Sequence, residues 1–172
     1  MHLITIVYNL AVSCWLGGAA LFTFCLTPLI FASYSRDIAG GIVGTLFPGY
    51  FRWGLACGAV ALLCQIINRG RFALASLAVI TLMLAFTAVQ AFIIEPQAAA
   101  LKHAIVSFET TPADDPQRVQ FRKLHGLSMA ANLTVIVGGI VLVILSSLPA
   151  PITAGREPEP GKTVTHTPTQ AQ

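Results

Sequence analysis

The sequence predicts an all-α integral membrane protein, a four-helix bundle followed by a disordered C-terminal tail. Three observations predict it. First, 55% of the 172 residues are hydrophobic and 10% are charged, whereas soluble domains carry about 25% charged residues. So few charges cannot cover a water-facing surface, and the mean hydropathy of +0.75 makes the lipid bilayer the solvent. Second, apolar stretches fall at about residues 3–31, 48–68, 72–94 and 121–148, and a helix of about 20 residues crosses a hydrocarbon core. Third, a segment in lipid must satisfy its own backbone hydrogen bonds, which selects helices. Residues 1–148 form one membrane domain. Residues 149–172 are rich in Pro, Thr and Gly, cannot bury a core, and are expected to be disordered. The net charge of +3 is small and dispersed. With no basic run interleaved with aromatics, nucleic acid is excluded as a partner.

The first segment has no Lys or Arg ahead of its apolar run, so it is expected to stay as a membrane helix and not to act as a signal peptide. Asn9, Ser13 and Gly17 recur at i, i+4 and i+8, a stripe that predicts close helix packing with Asn9 bonding across the contact. Pro28 is expected to kink or end the segment. Residues 32–45 read as a connection. Pro48 and Gly49 suit a fresh helix start. Phe47, Tyr50, Phe51 and Trp53 form an interfacial aromatic belt, from which Arg52 can snorkel.

Residues 68–71, N-R-G-R, read as a tight turn. The third segment is plainly apolar, with Thr81, Thr87 and Gln90 as its polar members, and Glu95-Pro96 is expected to end it. Residues 97–120 then form the longest loop, opening with a short amphipathic helix and closing on an N-cap at Asp114 or Asp115. The last helix starts near Pro116 and runs on to Leu148. The cysteines Cys14, Cys25, Cys57 and Cys64 all lie in apolar stretches and form no C-x-x-C pair. They read as small hydrophobes.

Residues 121–133, F-R-K-L-H-G-L-S-M-A-A-N-L, carry the candidate chemistry. His125, Ser128 and Asn132 are spaced by three and four, so they share one helix face. The antiparallel course of the segments brings other polar residues to a similar depth. The candidate polar layer is Arg52, Gln90, Glu95, His125, Ser128 and Asn132, with Thr27 and Tyr50 nearby. An Arg52–Glu95 ion pair is expected, as is a hydrogen bond from His125 to Glu95 or Gln90. Such a layer is either a vestibule with work to do or a network that staples helices together. A closed metal site needs three or four ligands, and the layer offers two at most, so no metal or cofactor is predicted. Haem or a metal at His125 is the alternative. No phosphate-binding glycine loop is present, and Ser128 beside His125 has packing geometry, not that of a nucleophile and its base. No catalytic residue is assigned.

The pattern resembles the family of small four-helix membrane proteins typified by transmembrane protein 205, domain of unknown function 4149. Trp15, Leu16, Gly17 and Gly18 with Pro28 to Phe31 carry the resemblance in the first segment. Phe47, Pro48, Gly49, Tyr50 and Phe51 carry it in the second. Phe121, Leu124 to Ser128, and Asn132 with Leu133 carry it in the last. The resemblance implies four spans and raises His125, Ser128, Asn132 and the Phe47–Phe51 aromatics as site candidates. It implies no mechanism.

The expected function is that of a non-enzymatic, multi-pass protein of the inner (cytoplasmic) membrane. It is either an accessory subunit or a small-solute or metal-related permease, with a redox or cofactor-binding protein using His125 as the alternative. Four spans are few for a monomeric transporter, so a homo-oligomer or membrane complex is expected. Both termini lie on one side, the cytoplasmic side, because the compact N-R-G-R turn is hard to translocate.

Overall fold

A computed structural model describes residues 2–67 and 72–148. The expected turn at 68–71 and the tail beyond residue 148 lie outside the described residues. Four long helices make up the fold: α1 (His2–Ser33), α2 (Arg36–Ile67), α3 (Ala73–Ala104) and α4 (Pro116–Ser147). Each is apolar enough to cross a membrane, and no strand occurs among the described residues. The chain is a multi-pass membrane protein. α1 packs against α2 and α4, and α3 against α2 and α4, so the helices form a square with each antiparallel to its neighbours in sequence. Both connections, 34–35 and 105–115, lie at one end, called the loop side below.

Each helix has 32 residues, or about 48 Å at 1.5 Å per residue, against a hydrocarbon thickness of about 30 Å. The helices therefore extend well past the bilayer core. This corrects two expected breaks and one of the two outcomes expected at Pro28. Residues 36–45 are not a connection but the first turns of α2, which runs unbroken through Pro48. Pro96 does not end α3, which continues to Ala104. Pro28 does not end α1, which continues to Ser33.

The reason lies in the turns before two of the prolines. Residues Leu21–Leu26 and Gln90–Ile94 are π-helical. The Thr27 N–H reaches back five residues to the Phe22 carbonyl, and the Glu95 N–H likewise reaches Gln90. A proline ring clashes with the carbonyl four residues earlier. The wider turn moves that carbonyl aside, so the helix absorbs the proline instead of stopping. At Pro48 the residue four back is Gly44, beside which lies the Lys102 side chain, and the Lys102 ammonium donates to the Gly40 carbonyl.

The expected packing stripe on α1 is also corrected. Asn9, Ser13 and Gly17 face outward, and nothing lies within 4 Å of a Cβ placed on Gly17. The bundle uses the opposite face, Tyr8, Ala11, Val12, Trp15 and Ala19. Close approach is supplied by the glycines of α2, because Trp15 packs against Gly54 and Gly58 and is only 2% exposed. With Cys57, Ala61, Cys64, Ile80, Met83, Val135 and Leu142 it forms an apolar core in the half of the bundle away from the loops. A smaller core of Ile30, Ala39 and Val43 joins α1 to α2 on the loop side.

The loop side is tied by specific bonds. Asp37 accepts from Ser107 Oγ at 2.6 Å and from the Phe108 N–H at 2.7 Å. Of the two aspartates that could cap α4, Asp115 does so, accepting from the N–H groups of Gln117 at 2.9 Å and Arg118 at 3.2 Å.

Candidate functional site

Between the two apolar cores lies a layer of neutral hydrogen-bonding side chains drawn from all four helices. The Tyr50 hydroxyl of α2 donates to Asn132 Oδ1 of α4. Asn132 Nδ2 donates to Thr23 Oγ1 of α1 at 2.5 Å. Ser128 Oγ, one turn from Asn132, donates to Gln90 Oε1 of α3 at 3.0 Å. At 1.5 Å per residue the five side chains lie about 15–24 Å from the loop-side ends of their helices. Gln90 is only 2% exposed. An aromatic wall backs the layer: Phe22 stacks on Tyr50 with centroids 4.5 Å apart, Phe47 stacks on Phe51 at 5.5 Å, and Tyr50 tilts onto Phe51 at 5.2 Å.

Two of the five come from the π-helical turns. Thr23 lies within Leu21–Leu26 and Gln90 opens Gln90–Ile94. α1 and α3 are not packed neighbours in the square, so the two wide turns approach the layer from opposite corners, and each is followed by a proline. π-turns inside α-helices often mark functional sites.

The structure brings together Gln90, Ser128 and Asn132 of the six residues the sequence placed in the layer, and leaves three outside its bonds. Arg52 is exposed on the outer face of α2 and Glu95 is half-buried. Among the described residues no ion pair joins them. A helix that turns 100° per residue separates Arg52 from Tyr50 by more than half a circle, so both cannot face inward. His125 does not bond Gln90 or Glu95 among the described residues. Gln90 Oε1 accepts from Ser128 instead, and the imidazole lies parallel to the Phe121 ring, 6.2 Å away and one turn back. No group of three His, Cys, Asp or Glu side chains suited to a metal occurs among the described residues. Thr27 is not part of the bonded set; Thr23 takes that place. Thr23 was readable in principle, since Trp15, Ala19 and Thr23 recur at i, i+4 and i+8 and the first two are buried.

Residues 10–107 match the family described as Domain of unknown function (DUF4149). The chain belongs to the DUF4149 family. The match takes in most of α1, all of α2 and α3, and with them Thr23, Tyr50 and Gln90. Residues 121–133 lie beyond it, so Ser128 and Asn132 complete the layer from outside the matched DUF4149 region. A protein of Aquifex aeolicus (strain VF5), described as "Uncharacterized protein", is 30% identical over 135 residues, covering 77% of this chain and 90% of that protein. No solved structure matches. These likenesses support the DUF4149 family; the narrower likeness to transmembrane protein 205 remains a resemblance on the motifs quoted above.

Proposed function

We propose that this DUF4149 protein is a small-solute permease of the cytoplasmic membrane, with the Thr23–Tyr50–Gln90–Ser128–Asn132 layer as its solute site. One observation carries the reading. Two helices are interrupted at corresponding positions by a wide turn and a proline, and those turns deliver Thr23 and Gln90 to the layer. Paired interruptions in two halves of a membrane protein are the common pointer to a transport site, because broken turns free polar groups where a solute is held. The second reading, an accessory subunit or oligomer component, is favoured by a different observation. α1 is the least covered helix, with 11% of its apolar window buried against 28% for each of the others, and Asn9 and Ser13 face outward on it.

The packed core away from the loops closes the site on that side. Met83 packs tightly on Gly138 there, where an added Cβ would meet the Met83 side chain at 2.7 Å. A permease must open there. Met83→Ala is therefore expected to raise protein-dependent solute flux into proteoliposomes, measured by light scattering after an osmotic step. No flux above empty vesicles, in wild type and Met83→Ala alike, would sink the permease reading and leave the accessory one.

A further inference from the structure

We propose that the layer selects an uncharged solute bearing a carbonyl or hydroxyl oxygen and excludes ions. This names the solute class of the permease reading and rests on it. The argument starts from Gln90, which is 98% buried by its 2% exposure. Its Oε1 accepts from Ser128, while its amide nitrogen donates to none of the described residues. Among the described residues no fully enclosed side-chain nitrogen or oxygen lacks a partner, so that amide keeps a small accessible surface on an otherwise buried side chain. Thr23 is in a similar position. Its oxygen accepts from Asn132, and its O–H proton is directed to no described acceptor. Both surplus groups are donors, and both sit on the π-turns. What they lack is an acceptor oxygen.

The oxygen they would take is uncharged, because nothing in the layer can neutralise a charge. Its five side chains are hydroxyls and amides. Arg52 lies outside on the exposed face of α2. Nearer the loops, Lys102 donates to the Gly40 carbonyl and Arg118 to the Thr111 carbonyl, while Asp37 is bonded to Ser107 and Phe108. An ion leaving water for such a site would be desolvated with no partner, which hydrogen bonds from neutral groups do not offset. A neutral oxygen exchanges its water bonds for the Gln90 and Thr23 donors at little net change. If the solute also carries a donor, Asn132 Oδ1 and Ser128 Oγ still have acceptor capacity.

The test uses the full chain in proteoliposomes, with urea and glycerol as neutral probes and potassium and nitrate as ionic ones. Urea and glycerol should pass faster than through empty vesicles, and the ions should not. Gln90→Leu and Gln90→Glu should each slow the neutral probes about fivefold or more, as expected for losing one hydrogen bond of about 1 kcal/mol. Gly17→Ala, on the outer face, serves as the folding and insertion control. Thr23→Val supplies an independent loss of donor if a Gln90 variant fails to insert. Ion flux without neutral flux would overturn the solute class while leaving the permease reading standing. Neutral flux that neither variant changes would overturn the assignment to this layer. No flux of any probe would overturn both.

Discussion

Gly58 sets the separation of the first two helices. A Cβ there would meet Leu84 Cδ2 at 2.5 Å and the Trp15 ring at 2.7 Å, so Gly58→Ala must displace a buried indole. The expected cost is about 1–3 kcal/mol, the usual penalty of overpacking. Gly17 has no neighbour within 4 Å, and Gly17→Ala should be neutral or stabilise by up to about 1 kcal/mol through helix propensity. Thermal unfolding in detergent checks both. Equal midpoints for the two variants would mean that Trp15 is not seated as described. This pair also explains what was legible at single residues. The sequence marks Gly17 as a small residue in a stripe, but small residues suit any close contact. Which glycines face a partner depends on how α1 is rotated, and rotation is fixed by Trp15 finding Gly54 and Gly58 on another helix. Ser128, Asn132 and Gln90 were readable because they are isolated polar groups in apolar runs. The bonds expected of Arg52, Glu95 and His125 were not legible, because Arg52 can turn to the outer face and the His125 imidazole can lie against the Phe121 ring.

At the level of elements, four helices were legible from apolar length alone, and their ends were not. Proline rules assume α geometry, so they predict breaks at Pro48 and Pro96 that the chain does not make, and a kink or an end at Pro28 where the chain does not end. The wide turns at Leu21–Leu26 and Gln90–Ile94 leave no mark in composition, because a π-turn needs only one more residue than the α pattern expects. Their removal is testable. Asn132 Nδ2 and Thr23 Oγ1 are 2.5 Å apart, so a Thr23→Cys, Asn132→Cys chain lacking its native cysteines should cross-link readily under mild oxidation. Adding Pro28→Ala removes the clash that favours the wide turn. The turn should then tighten to α, rotate residue 23 away and cut the cross-linking yield severalfold. An unchanged yield would show that the π-turn is held by packing and not by the proline.

For the whole molecule, the square of four antiparallel helices places both termini opposite the loop side, and basic residues decide which side is cytoplasmic. A raw count favours the loop side, where Arg36, Arg52, Lys102, Arg118, Arg122 and Lys123 lie, against Arg69, Arg71, Arg156 and Lys162. The structure alters that balance. Arg52 lies within a membrane-crossing helix and Lys102 in the loop-side extension of another. Lys102 and Arg118 donate to backbone carbonyls of the folded loop side, where Asp37 and Asp115 also sit bonded. Folded loop-side contacts thus account for part of the basic excess, whereas Arg69 and Arg71 fall in the four-residue segment 68–71 of the sequence, between α2 and α3. Short loops carry the orientation signal most strongly. Termini inside is therefore the expected orientation. A green fluorescent protein fused after Gln172 should fluoresce, and alkaline phosphatase should be active when inserted within residues 109–114 and inactive when fused after Gln172. The reverse pattern would invert the molecule and make the loop side cytoplasmic. It would leave the layer and its hydrogen bonds intact.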